Sequence, residues 1–211
     1  MRPDSVERIA ETGVIAILRG VSVEDAPDVA AAVTEGGVAA LEITADTPNV
    51  TAAIEAVADR VDAAVGVGTV LDAETARAAQ LAGAEFVVTP TVNRAVIRTA
   101  NRYGTPIAAG AYTPTEALDA FEAGADFVKV FPAKTGGPAH VAAIGGPLPQ
   151  IPLVPTGGVS ADNAGAYVEA GAAAVGVGSA IVDRDAVGAG EYDRIAANAR
   201  AVVEAVATAR E

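Results

Sequence analysis

The sequence predicts a single (β/α)8 barrel, the TIM-barrel class, spanning residues 1–211, and three observations carry that expectation. Short apolar runs rich in Val and Ile alternate with Ala-rich stretches that carry acids and arginines. The runs are nearly continuous in their apolar character, which marks strands covered on both faces, as parallel sheets with crossover helices require. A helix-to-strand motif also recurs as Glu35-Gly36-Gly37-Val38-Ala39, Ala82-Gly83-Ala84-Glu85-Phe86, Ala123-Gly124-Ala125-Asp126-Phe127 and Ala170-Gly171-Ala172-Ala173-Ala174. Counted from Gly36, its glycines stand 47, 41 and 47 residues apart, each where a left-handed residue would end a helix. A two-unit repeat used four times closes a barrel more naturally than it builds an open sheet. A doubly wound sheet is the alternative. It would carry a Gly-rich fingerprint after strand one, and Leu18-Arg19-Gly20-Val21 is not one.

In chain order, residues 3–11 read as a short helix closing the barrel bottom. Strands follow at 14–18, 38–43, 63–67, 85–89, 106–109, 126–130, 152–155 and 173–177. Helices are expected between them at 23–35, 50–60, 73–81, 94–103, 115–122 and 163–169, with a last helix over 191–210.

Composition narrows the function classes. With no Cys and one His, the chain cannot build Cys/His zinc sites, iron–sulfur clusters, disulfide frameworks or a cysteine nucleophile. The 27 acidic against 14 basic residues give a net charge of -13 with no basic stripe, which argues against nucleic acid or an anionic membrane as partner. The longest apolar stretch, 170–182, is broken by Gly171, Gly176, Gly178 and Ser179, so no membrane-spanning helix is expected. Asp4, Glu7 and Glu11 stand where a signal peptide would be basic and then apolar, and the expected compartment is the cytoplasm. Of the 14 basic residues only Lys129 and Lys134 are lysines. Acid excess with scarce Lys fits a high-salt cytoplasm, where screening tolerates self-repulsion; a GC-rich genome would also favour Arg over Lys.

Barrel sites lie at the C-terminal strand ends. Two charged residues interrupt strands otherwise made of apolar residues there. Lys129, in Phe127-Val128-Lys129-Val130-Phe131, alternates with valines that face the helices, so it points into the lumen. Desolvation favours the neutral amine that a Schiff-base nucleophile needs. Glu42, in Leu41-Glu42-Ile43-Thr44, points inward by the same alternation and can move protons beside an imine. The plainer alternative is a structural ion pair between the two. Arg19, where strand one opens into its loop, can clamp a carboxylate bidentately. Thr156-Gly157-Gly158-Val159-Ser160 and Gly176-Val177-Gly178-Ser179 offer backbone N–H groups to a phosphate after strands seven and eight. They could equally be tight turns, since Gly66-Val67-Gly68-Thr69 shows the same glycine pattern after strand three. His140 reads as a surface residue near a helix start and Lys134 as a loop residue.

Taken in order, Ile15-Ala16-Ile17-Leu18-Arg19-Gly20, Leu41-Glu42-Ile43-Thr44, Gly66-Val67-Gly68-Thr69-Val70-Leu71, Phe127-Val128-Lys129-Val130-Phe131-Pro132-Ala133 and Pro155-Thr156-Gly157-Gly158-Val159-Ser160 resemble the class I 2-keto-3-deoxy-6-phosphogluconate (KDPG) and 4-hydroxy-2-oxoglutarate aldolases end to end. The resemblance implies a cofactor-free (β/α)8 homotrimer acting on a phosphorylated sugar acid and releasing pyruvate. It implies Lys129 as the Schiff-base lysine and Glu42 as general acid/base. Arg19, Thr69, Thr44 and Pro90 would contact substrate, Phe131 would wall the reacting centre, and Gly157, Gly158, Gly178 and Ser179 would cradle phosphate. One departure is Ala45-Asp46-Thr47, where many members carry Leu-Arg-Thr after the strand-two Glu-x-Thr, so Asp46 stands in place of an arginine and leaves the choice between the gluconate and galactonate epimers open; 4-hydroxy-2-oxoglutarate is a further alternative. A barrel that binds or isomerises phosphosugars without an imine is the rival from another class.

Overall fold

The structure, a computed structural model, describes residues 4–211, so position 3 of the expected first helix lies outside the described residues. Eight strands form its frame: β1 (Val14–Leu18), β2 (Ala40–Thr44), β3 (Ala64–Gly68), β4 (Phe86–Val88), β5 (Ile107–Ala111), β6 (Phe127–Val130), β7 (Leu153–Pro155) and β8 (Val175–Val177). They run in the order β7-β6-β5-β4-β3-β2-β1-β8, and every pair is parallel. A parallel bridge between Thr156 and Gly176, with the Ala173 N–H donating to the Leu153 carbonyl at 2.9 Å, joins β7 to β8. The sheet therefore closes as expected.

The helices are α1 (Asp4–Thr12), α2 (Ala26–Glu35), α3 (Val50–Ala58), α4 (Ala73–Leu81), α5 (Arg94–Arg102), α6 (Pro114–Glu122), α7 (Gly137–Gly145), α8 (Ala161–Glu169), α9 (Arg184–Ala189) and α10 (Tyr192–Arg210). Several starts are written locally. The Asp72 side chain accepts the Thr75 N–H at 2.6 Å, Asn93 accepts from Ala95 and Val96, and Thr113 with Glu116 forms a capping box. The expected helices are present, but α7, α9 and a 3-10 turn at Ala133–Thr135 were not anticipated. Gly137, Pro138 and Gly145 make α7 a poor helix by propensity, and burial of Val141 and Ile144 against the barrel holds it instead.

The repeat is off by one in its first copy. Gly36 has φ -71 and caps α2, whereas Gly37 has φ +93 and matches Gly83, Gly124 and Gly171 at φ +103, +99 and +93. The left-handed residue stands two places after each helix end, and the paired glycines concealed which of them does it.

Strand alternation sorts the side chains into two cores. Leu18, Leu41, Ile43, Val128 and Val130 pack outward under the helices. Ile15, Ala40, Ala64, Phe86, Ala108, Phe127, Val154 and Ala174 fill the lumen, where Val6 and Ile9 of α1 join them as the bottom plug. The lower lumen is thus packed solid, and the polar groups are confined to the upper strand ends.

Candidate active site

β2 carries Ala40, Glu42 and Thr44 on its lumen side, and β6 carries Phe127 and Lys129 on its own. Lys129 Nζ faces Glu42 Oε1 at 3.8 Å, with the two side chains 7% and 2% exposed. That separation exceeds hydrogen-bond reach, and Glu42 Oε1 has no hydrogen-bond partner among the described residues. The pair attracts electrostatically, yet neither the amine nor the carboxylate oxygen is consumed by the other. A buried carboxylate left in this condition is costly to keep, which is a mark of function more than of stability.

Room for the pair comes from glycine. A Cβ on Gly68 of β3 would overlap the Glu42 carboxylate, and one on Gly176 would overlap the Thr156 hydroxyl. This corrects the reading of Gly66-Val67-Gly68 as a turn. Both glycines lie inside β3, and their missing side chains leave space in the lumen.

Arg19, exposed at the end of β1, donates from Nη2 to the Thr69 hydroxyl at 2.7 Å. Thr69 holds that position with φ 57, which costs a β-branched residue about 1–2 kcal/mol. Strain of this kind is retained where a side chain must be presented, and here it joins the two residues assigned to a substrate carboxylate.

Above the pair opens a cavity of about 490 Å³. Its wall brings together Arg19, Glu42, Lys129, Phe131, Gly157, Gly158, Gly178 and Ser179 from the expected set. The Phe131 ring centre is 5.5 Å from Lys129 Nζ. Gly157 and Gly158 have φ 92 and 84, and the Gly157 carbonyl is braced by the Lys134 N–H at 2.9 Å. The N–H groups of Gly158 and Ser179 donate to no other described residue, so they are available to an anion. Among the described residues no group of His, Asp and Glu could hold a metal ion.

Three expected residues are not on that wall. Thr69 reaches it only through Arg19. Thr44 is fully buried beside Gly68, its hydroxyl without a partner, and Pro90 is half-buried with its backbone pressed against Gly110. Sequence reasoning missed Thr156, which sat within the quoted motif, and Arg184, which no motif marked. His140 is not a plain surface residue. Its Nε2 lies 2.7 Å from the Tyr112 carbonyl, and its ring stacks on Tyr112 at 4.5 Å. Lys134 lies in the 3-10 turn, exposed, with its stem over Gly158.

The sequence model of the family described as KDPG and KHG aldolase matches residues 6–198. The chain belongs to this aldolase family. It is 37% identical to the 2-dehydro-3-deoxy-6-phosphogalactonate aldolase of Escherichia coli K12, covering 90% of this chain and 93% of the relative. It is 35% identical to the 2-dehydro-3-deoxy-phosphogluconate aldolase of Treponema pallidum, covering 96% of each. Its fold matches the KDPG aldolase of Legionella pneumophila, solved with pyruvate captured as a covalent carbinolamine, with a TM-score of 0.84 and 30% identity over 92% of this chain and 96% of that one. The KDPG and KHG aldolase family thus includes relatives named for either sugar epimer. Asp46, the departure noted in the sequence, is exposed in the β2–α3 connection and does not line the cavity of this aldolase-family chain.

Proposed function

We propose that this chain is a class I aldolase that cleaves 2-keto-3-deoxy-6-phosphogluconate to pyruvate and glyceraldehyde 3-phosphate. The observation that carries the reading is the Lys129–Glu42 pair, facing at 3.8 Å on the floor of a cavity whose upper wall is glycine backbone. The Lys129 amine adds to the C2 carbonyl, and the carbinolamine loses water to give an iminium. Glu42 takes the C4 hydroxyl proton, the C3–C4 bond breaks, and its electron pair moves into the iminium to form an enamine. The aldehyde leaves, the enamine is protonated at C3, and water releases pyruvate and the free lysine. Arg19, backed by Thr69, serves the substrate carboxylate, and Gly157, Gly158, Gly178 and Ser179 serve the phosphate.

The test is borohydride trapping with pyruvate, read by peptide mass spectrometry. A reduced adduct on Lys129 is expected, and Lys129→Ala should lose both the adduct and turnover. Turnover in a variant whose remaining lysine is Lys134 would overturn the assignment. Comparing the gluconate and galactonate epimers and 4-hydroxy-2-oxoglutarate by kcat/KM sets the substrate. One domain over residues 1–211 and a trimer complete the reading, the latter resting on the family resemblance and checked by sedimentation. Among the described residues no helix is long and apolar enough to cross a membrane, and the acid excess supports a high-salt cytoplasm.

A further inference from the structure

We propose that Arg184 grips the substrate phosphate and is the residue by which this chain selects a phosphorylated sugar acid over its dephosphorylated counterpart. The inference rests on the aldolase reading above and extends it to a side chain outside the glycine cradle. Arg184 begins α9, just beyond the end of β8, and lines the same cavity as Gly158, Gly178, Ser179 and Arg19. Backbone N–H groups are neutral donors, whereas a phosphate monoester carries about -1.5 to -2 charges at neutral pH. A guanidinium supplies both the charge and a planar fork that matches two phosphate oxygens.

The surroundings leave Arg184 free for this work. Of the two adjacent carboxylates, Asp183 is committed elsewhere, accepting the Ala186 N–H at 2.9 Å and pairing with Arg194 at 2.7 Å, and Asp185 forms no ion pair with Arg184. Among the described residues Arg184 itself forms no ion pair. Its Nη2 reaches to 3.6 Å from where a Cβ on Gly20 would stand, so the head group runs along the cavity rim from the β8–α9 connection toward the neighbouring β1–α2 turn. Arg19 is already tied to Thr69. Both guanidiniums line the one cavity, and in this proposal Arg184 takes the phosphate while Arg19 takes the carboxylate, in a chain whose net charge of -13 otherwise repels an anionic substrate.

The experiment compares kcat/KM of wild type, Arg184→Gln, Arg184→Lys and Lys134→Gln on the phosphorylated and unphosphorylated 2-keto-3-deoxy acids. Arg184→Gln should lose about 10- to 100-fold on the phosphorylated acid, chiefly in KM, and under about threefold on the unphosphorylated one. Arg184→Lys should recover part of the loss, and Lys134→Gln should leave the phosphate preference as it was. Equal losses on both acids, an undiminished preference in Arg184→Gln, or the same loss in Lys134→Gln would each overturn the proposal. Pyruvate trapping separates the two levels. An adduct on Lys129 with phosphate preference intact in Arg184→Gln defeats this inference alone, whereas no adduct in wild type defeats the aldolase reading and this inference with it.

Discussion

The Glu42 carboxylate fills the lumen space that a side chain on Gly68 would take, and a single methyl group there would displace it. Gly68→Ala should therefore cost about 1–3 kcal/mol by overpacking. Its turnover should fall much further than its stability, which denaturation and kcat measured together would show. Glu42→Gln keeps the volume and removes the proposed base, so kcat should drop by about 10²- to 10⁴-fold with the unfolding midpoint close to wild type. Lys129 and Glu42 were legible in the sequence because a charge inside a run of Val and Ile is expensive to bury and is kept only when paired or put to use. Arg184 was not, being one arginine among many, in a segment with no apolar period to orient it. Thr156 was visible but had no reason to be singled out until Gly176 was seen to leave room for its hydroxyl.

Three helices with local start signals, α4, α5 and α6, begin within one residue of the expected positions. α4 begins where Asp72 caps it and matches the expected 73–81 throughout, while α7 and α9 were missed because tertiary burial, not local propensity, sustains α7, and α9 is only six residues long past its Asp183 cap. The capping box of α6 makes a testable case. Glu116 Oε2 accepts the N–H groups of Tyr112 and Thr113 at 3.0 and 2.9 Å, which holds its carboxyl below the ordinary 4.5, with the Tyr112 bond contributing most. A lowered carboxyl pKa gives stability that is present above the unfolded value and is lost as pH falls through the folded one. Glu116→Gln should therefore be less stable than wild type near neutral pH, and the gap should close on acidification below about pH 4.5, as urea midpoints against pH would record. The register of the glycine motif failed for a related reason. Gly36 and Gly37 both permit a left-handed turn, and only the position of the helix end decides which adopts it.

Across the whole molecule, Arg210 at the end of α10 ties three segments together. Its guanidinium donates to the carbonyls of Ala10 and Glu11 at 3.0 and 2.8 Å and to that of Ala173 at 2.9 Å, linking α10 to α1 and to the approach to β8. Arg210→Ala should lower stability by about 1.5–3 kcal/mol while leaving pyruvate trapping on Lys129 in place. The charge of -13 belongs to this scale too. If self-repulsion is the cost of a surface built for salt, the melting temperature should climb with KCl toward molar concentrations, where the screening length falls to about 3 Å. A flat response would favour a GC-rich genome as the cause instead. The sequence by itself determined the barrel, the two lumen charges and the glycine pairs after strands seven and eight, because strand alternation and apolar runs are local periodicities that a single chain displays in order. Only the tertiary structure decided which glycines make space, that Arg19 meets Thr69, that Thr44 and Pro90 stand back from the cavity, and that Arg184 lines it. Those facts depend on distances between residues tens to hundreds of positions apart, and closure of the sheet sets such distances while leaving no period in the sequence.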